Sequence, residues 1–202
     1  MIAIIDYKMG NLRSVQKAFE FVGYDAIITD DRKKIEDASH IVLPGVGAAG
    51  DALHQLRETG LFDVILKETA KGKPFLGICL GMQLMFEQSM EKGQHECLGL
   101  IPGEVVLFHK EGLKIPHIGF NNLESIKDNA LFCKEEQEQY VYFVHSFHAS
   151  KVPEESVIAR ANYGYPFVCA VNRDQMYGLQ FHPEKSGKTG LAMLYKFGGI
   201  KS

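Results

Sequence analysis

The chain has no basic run, no Cys-x-x-Cys pair, no apolar run of membrane-spanning length and no low-complexity segment. Its 202 residues carry 22 Lys and Arg against 25 Asp and Glu, a formal net charge of -3, so a nucleic-acid role has no electrostatic support. The short apolar runs exclude a membrane-spanning helix. Four cysteines, Cys79, Cys97, Cys133 and Cys169, stand far apart and suggest neither a disulfide framework nor a zinc site. A reducing, cytoplasmic setting is expected, where one of them is free to act as a working thiol. The opening MIAIIDYKMGN lacks a basic leader and a small-residue cleavage site, and reads as a first strand rather than a signal peptide. Neither repeat nor linker interrupts the chain, so one domain over residues 1–202 is expected.

What is present is an alternation of strand and helix. Residues 2–6 (IAIID) are an apolar run, and Leu12, Val15, Phe19 and Val22 follow at helical spacing up to Gly23. Further strands are expected at 26–29, 41–43 and 74–78, with helices over 51–58, 61–70 and Met82 to Gln88. This is the pattern of a parallel sheet covered on both faces. Beyond about residue 95 short strand-like runs take over, at 104–108, 114–118, 140–144, 156–160, 166–171 and 175–181, ahead of a last helix near 189–197. The expectation is an α/β fold whose C-terminal section is mixed or antiparallel.

HIVLPGVGAAGD, residues 40–51, contains Gly45, Gly47 and Gly50 in the Gly-x-Gly-x-x-Gly spacing of a dinucleotide-binding turn. Its context argues against that reading. The fingerprint belongs after the first strand and needs an acidic residue at the end of the next strand. Here it follows the third, and the acidic residue near the right distance, Glu68, sits in the helical stretch LFDVILKETA.

More chemistry lies in KPFLGICLGMQLMFEQ. Gly77-Ile78-Cys79-Leu80-Gly81 is a nucleophile elbow with cysteine in place of serine. Side chains at the flanking positions would collide with neighbouring chain, which is why both are glycine. The turn sets Cys79 near a helix N-terminus, where partial positive charge favours thiolate, and aims the Leu80 N–H at a carbonyl under attack. A buried core cysteine is the alternative reading. Among eight histidines, His40, His54, His95 and His109 have ordinary structural readings. LQFHPEKS differs: a strand ends at His182, and in extended chain Glu184 projects to the same side. Glu184 could then orient the imidazole as a general base for Cys79. A solvated strand end is the alternative for that pair.

Elbow cysteine plus downstream His-Pro-Glu resembles the class I (triad) glutamine amidotransferases. IAIIDYKMGNLRSV, VLPGVGAAGDA, GKPFLGICLGMQLM, KIPHIGFN, YFVHSF and GLQFHPEKS are similar, as a set running from residue 2 to 186, to the family of glutaminase subunits of imidazole glycerol phosphate synthase. The resemblance implies a single-domain, flavodoxin-like fold with a central, mostly parallel sheet and helices on both faces. It implies hydrolysis of L-glutamine through a γ-glutamyl thioester on Cys79, with His182 moving the proton and Glu184 orienting it. Ammonia would pass to a separate (β/α)-barrel cyclase subunit in a heterodimer, with no cofactor or metal. Gly47 and Leu80 would form the oxyanion hole. Gln83, Ser146 and Phe147 would hold the substrate, and Asn11, Tyr142 and Lys185 would lie near the partner, though for Asn11 a helix N-cap is an equal reading. Lys8 stands where the family pattern has glycine, and Phe120 where tryptophan is common; both bear on docking. A paralogous glutaminase feeding another synthase, for instance in surface-sugar amidation, stays open, as does a general cysteine hydrolase. A binding module without catalysis is disfavoured by the intact Cys79, His182 and Glu184.

Overall fold

The protein is described by a computed structural model covering residues 1–109, 111–124, 126–133 and 139–201. The first half alternates: β1 (Ile2–Ile5), α1 (Leu12–Phe21), β2 (Ala26–Thr29), α2 (Arg32–Asp37), β3 (His40–Gly45), α3 (Ala49–Glu58), α4 (Leu61–Ala70), β4 (Phe75–Cys79) and α5 (Leu80–Gln83). Short strands follow, β5 (Gln88–Ser89), β6 (His95–Glu96), β7 (Glu104–Leu107), β8 (His117–Asn122), β9 (Tyr140–His145), β10 (Phe147–Ser150), β11 (Val157–Asn162), β12 (Pro166–Arg173) and β13 (Met176–Leu179). Helix α6 (Gly187–Gly198) closes the chain.

One sheet runs β2-β1-β3-β4-β13-β12-β10-β7-β5-β6, with β11 beside β12. Its first five strands are parallel; the β13–β12, β12–β10 and β10–β7 pairs are antiparallel, and β7–β5 is parallel again. Alternation along each strand builds two cores. Ile2, Ile4, Leu76 and Ile78 face α1 and α6 through Val15, Phe19, Leu194 and Phe197. Ala3, Ile5, Leu43 and Phe75 face α2, α3 and α4 through Ile35, Leu53, Leu56 and Ile65. Each isoleucine or phenylalanine so buried contributes about 1.5–3 kcal/mol. The fold is the expected α/β arrangement: a largely parallel central sheet, helices on both faces and an antiparallel C-terminal section. Among the described residues no helix is long and apolar enough to cross a membrane.

Strands β8 and β9 stand apart as a two-stranded ribbon. One of its faces, with His117, Val141, Phe143 and His145, is buried, while Ile118, Phe120 and Tyr140 on the other are exposed.

Several expected boundaries are corrected. The helix expected from Met82 to Gln88 is only the turn Leu80–Gln83. Beyond it the carbonyls of Leu84, Met85 and Phe86 accept from the N–H groups of Leu98 to Ile101, so the returning chain takes the bonds a helix would need. Helix α2 and strand β10 carry little apolar periodicity and escape a sequence reading. The strand expected at 114–118 runs instead over His117–Asn122, and that expected to reach residue 181 stops at Leu179.

The elbow glycines are required by space. A Cβ on Gly77 would sit 2.7 Å from the Gly81 carbonyl oxygen, and one on Gly81 would overlap the Leu43 carbonyl of β3. Gly81→Ala is expected to destabilise the fold by about 3 kcal/mol, seen as a lower midpoint in thermal or urea unfolding.

Candidate active site

Strand β4 lies between β3 and β13, and Cys79 is its last residue, opposite Gly45. Cys79 adopts φ 54° and ψ −108°, a left-handed backbone costly for a residue with a side chain. The conformation lifts its sulfur out of the sheet into a cavity of about 300 Å³. Gly47, Leu80, Gln83, Glu91, Ser146 and Phe147 line the same cavity.

His182 comes to Cys79 from the other side of β4. Its backbone is clamped: His182 N–H donates to the Tyr142 carbonyl (2.9 Å), and the His182 carbonyl accepts from Ser186 Oγ (2.6 Å), which itself accepts from the Tyr142 N–H. His182 Nδ1 lies 2.9 Å from Glu184 Oε1, and both side chains are buried. A carboxylate accepts, so Nδ1 carries the proton and Nε2 is left facing the thiol, with no hydrogen bond to any other described residue. Burial alone would push this imidazole down. Interaction with Cys79 and Glu184 outweighs that and raises its pKa to about 9. The expected geometry differs in one respect: residues 183–185 form a 3-10 turn, and Glu184 reaches back through it rather than along a strand.

The residues expected around the substrate also meet here. Gln83 Nε2 donates to the Phe147 carbonyl (3.0 Å) and to Gln180 Oε1 (3.1 Å). Gly47 has φ 96° in the turn between β3 and α3. Tyr7, deep in the core, donates to the Pro44 carbonyl (2.9 Å), and burial raises its pKa so that it stays a donor.

Residues 3–199 match the family Glutamine amidotransferase class-I. The chain belongs to that family. It is 50% identical over 201 residues to the imidazole glycerol phosphate synthase subunit HisH of Sulfurimonas denitrificans, covering 98% of this chain and 97% of that one. With the protein of the same name from Aquifex aeolicus it shares 47% over 195 residues, or 96% and 94% of the two chains. Among solved structures, a glutamine amidotransferase superposes with a TM-score of 0.78 at 18% identity, over 99% of this chain and all of that one. PurLQS from Thermotoga maritima gives 0.76 at 20%, over 97% and 96%. At those identities the likeness is one of fold.

Of the three residues expected near a partner, Lys185 and Tyr142 lie together, and Asn11 makes only local contacts. Lys185 is exposed and its Nζ stands 5.7 Å from the centre of the Tyr142 ring, which packs edge-on against Phe120. Asn11 sits at the N-cap position of α1, yet its side chain caps no backbone N–H; its Oδ1 accepts from Ser14 Oγ (2.8 Å). Lys8 holds φ 65°, which explains why glycine suits that position.

Sequence reasoning missed Glu91, Gln180 and a pair of histidines. Glu91 sits in the polar turn SMEKGQ, which carries no pattern, and among the described residues lining the cavity it is the one carboxylate. Its Oε2 accepts from the Ala49 N–H at the start of α3 (2.7 Å). His145 Nδ1 lies 2.8 Å from the Phe147 carbonyl and its Nε2 lies 3.0 Å from His117 Nδ1. Burial pushes His145 down to about 3 and His117 down to about 4, so both are neutral near pH 7. The Phe147 carbonyl can only accept, which makes His145 an Nδ1–H tautomer. His145 Nε2 then accepts, so His117 is an Nδ1–H tautomer too. Nitrogen-15 imidazole spectra are expected to show both rings protonated at Nδ1 and still neutral at pH 5.5; an Nε2–H signal from either would contradict the geometry.

Proposed function

We propose that this amidotransferase is the glutaminase subunit of imidazole glycerol phosphate synthase, acting in the cytoplasm in histidine biosynthesis as one domain over residues 1–202. The observation that carries the glutaminase reading is the strained Cys79 at the end of β4, in contact with a buried His182–Glu184 pair and opening on a cavity of amino-acid size. The names borne by its relatives support the choice of synthase.

L-Glutamine fits the cavity with its α-ammonium at Glu91, its α-carboxylate toward the backbone of Ser146 and Phe147, and Gln83 beside it. The side-chain amide then reaches Cys79. Attack by the sulfur on the amide carbon opens the C=O bond, and the oxyanion is received by the Leu80 N–H and the Gly47 turn. Imidazolium is the favoured state of His182 at neutral pH, since its pKa is raised to about 9. It therefore holds the proton that the departing nitrogen needs to leave as ammonia. A γ-glutamyl thioester remains. His182, now neutral, takes a proton from water, whose oxygen attacks the thioester; the C–S bond breaks and returns glutamate and the thiolate, paired with imidazolium.

Ammonia passes to a (β/α)-barrel cyclase subunit, the heterodimer partner, which makes imidazole glycerol phosphate and aminoimidazole carboxamide ribotide. The neighbouring Tyr142, Lys185 and exposed Phe120, together with Asn11, form the docking surface in this reading. An apolar ribbon face left open to solvent is what a partner of this kind covers.

In the complex, Cys79→Ala is expected to abolish glutamine-dependent synthesis and to leave ammonia-dependent synthesis unchanged, measured as imidazole glycerol phosphate formed from each nitrogen source. Loss of both in a folded complex would contradict the division of labour. His182→Ala is expected to lower glutamine hydrolysis by about 10³-fold, and Glu184→Gln by less, because the second disturbs orientation and the first removes the proton carrier. The reverse order in kcat/KM would overturn these two roles.

A further inference from the structure

We infer that Gln180 is a further catalytic residue, whose side-chain amide donates a hydrogen bond to the Cys79 sulfur and stabilises it as a thiolate. The inference rests on Cys79 being the nucleophile. Gln180 has no solvent exposure, and an amide is buried at a cost unless both its ends are paired. Its Nε2 lies 3.8 Å from Cys79 Sγ, and its Oε1 lies 3.1 Å from Gln83 Nε2.

The direction of that amide follows from its neighbours. A carbonyl oxygen accepts and never donates, so the Gln83 atom 3.0 Å from the Phe147 carbonyl is its NH2. The same nitrogen faces Gln180, so Gln180 turns its oxygen to Gln83 and its NH2 to the sulfur. The opposite rotamer would set two NH2 groups against each other and a carbonyl oxygen against the thiolate. Backbone anchors hold the residue in place: the Gln180 N–H donates to the Cys169 carbonyl (2.9 Å).

Cys79 is itself nearly buried, at 6% exposure, so little water reaches its sulfur and fixed donors must do what solvation does elsewhere. An N–H aimed at the sulfur is most useful when the sulfur is anionic. That happens twice in the reaction, before attack on the amide and when the thioester C–S bond breaks to return the thiolate. The Gln180 donor acts at both moments without moving.

The test is the pH dependence of Cys79 alkylation by iodoacetamide in the full chain, with the modified residue located by mass spectrometry. Gln180→Glu keeps the shape and the acceptor for Gln83 but removes the donor; Gln180→Met removes both. In each, the pH of half-maximal alkylation is expected to rise by about one unit or more, a loss of roughly tenfold in rate on the acidic limb. Ammonia-dependent synthesis in the complex is expected to stay at its wild-type rate. Folded variants with an unchanged alkylation profile would overturn the role of Gln180 while leaving Cys79 as nucleophile. Alkylation of wild-type protein at some other cysteine in place of Cys79 would overturn the nucleophile reading itself. Should both variants fail to fold, the wild-type chain decides: the Gln180 side-chain NH2 resonance is expected to shift as Cys79 ionises and to lose that shift in Cys79→Ala. No shift in the wild type would overturn the inference.

Discussion

Everything in this active site depends on the close approach of Gly81 to the Leu43 carbonyl, because that contact lets the chain turn from β4 into α5 within one residue. With β3 and β13 hydrogen-bonded on either side, β4 has no freedom to relax at its end. Strain of about 1–3 kcal/mol at Cys79 is therefore sustained by two neighbouring strands rather than relieved locally. The outcome is a sulfur fixed in direction, with a helix start beneath it and a cavity in front.

Around that fixed point the polar groups form a directional network in which each tautomer and amide orientation follows from the next. The Phe147 carbonyl is its hub, accepting from His145 on one side and from Gln83 on the other. Toward the ribbon the sequence of donors runs back through His117, and toward the nucleophile it runs through Gln180 to Cys79. A second tie joins the same ribbon to His182, since the Tyr142 carbonyl and N–H on β9 hold the backbone of His182 and the hydroxyl of Ser186. The surface that carries Phe120 and Tyr142 is thus built on the strands that position both His182 and the cavity wall.

Much of this was legible in the residues. The isoleucine run of β1, the helical spacing of Val15 and Phe19, and the tight strand-to-helix turn required by the paired glycines around Cys79 each follow from local pattern, and the structure agrees with all three. The boundary of α5 was not legible, because Leu84, Met85 and Phe86 are apolar enough to continue a helix. Only the later arrival of residues 98–101 diverts their carbonyls. Glu91 and Gln180 were hidden for a related reason. A polar residue in a turn, or one buried beside a motif, has no periodicity of its own, and its role is set by atoms distant in sequence. His182 and Glu184 were paired for a partly mistaken reason: the reach is made by a 3-10 turn and not by strand alternation.

The glycine turn after β3 shows how the same local geometry is diverted to another chemistry. A dinucleotide site needs open space above its glycines and bare N–H groups at the helix start for a pyrophosphate. Here the space over Gly45 belongs to the Tyr7 hydroxyl, and that over Gly50 to the His95 ring, 2.8 Å from where a Cβ would lie. The Ala49 N–H at the start of α3 is already paired with the Glu91 carboxylate. A phosphate placed there would meet like charge as well as a filled volume. Gly47 differs from the other two: it has a left-handed φ and lines the same cavity as Cys79 and Glu91. The helix start that would attract a phosphate in another protein instead holds in place an acidic side chain, which under the proposed function is the partner of the substrate ammonium group.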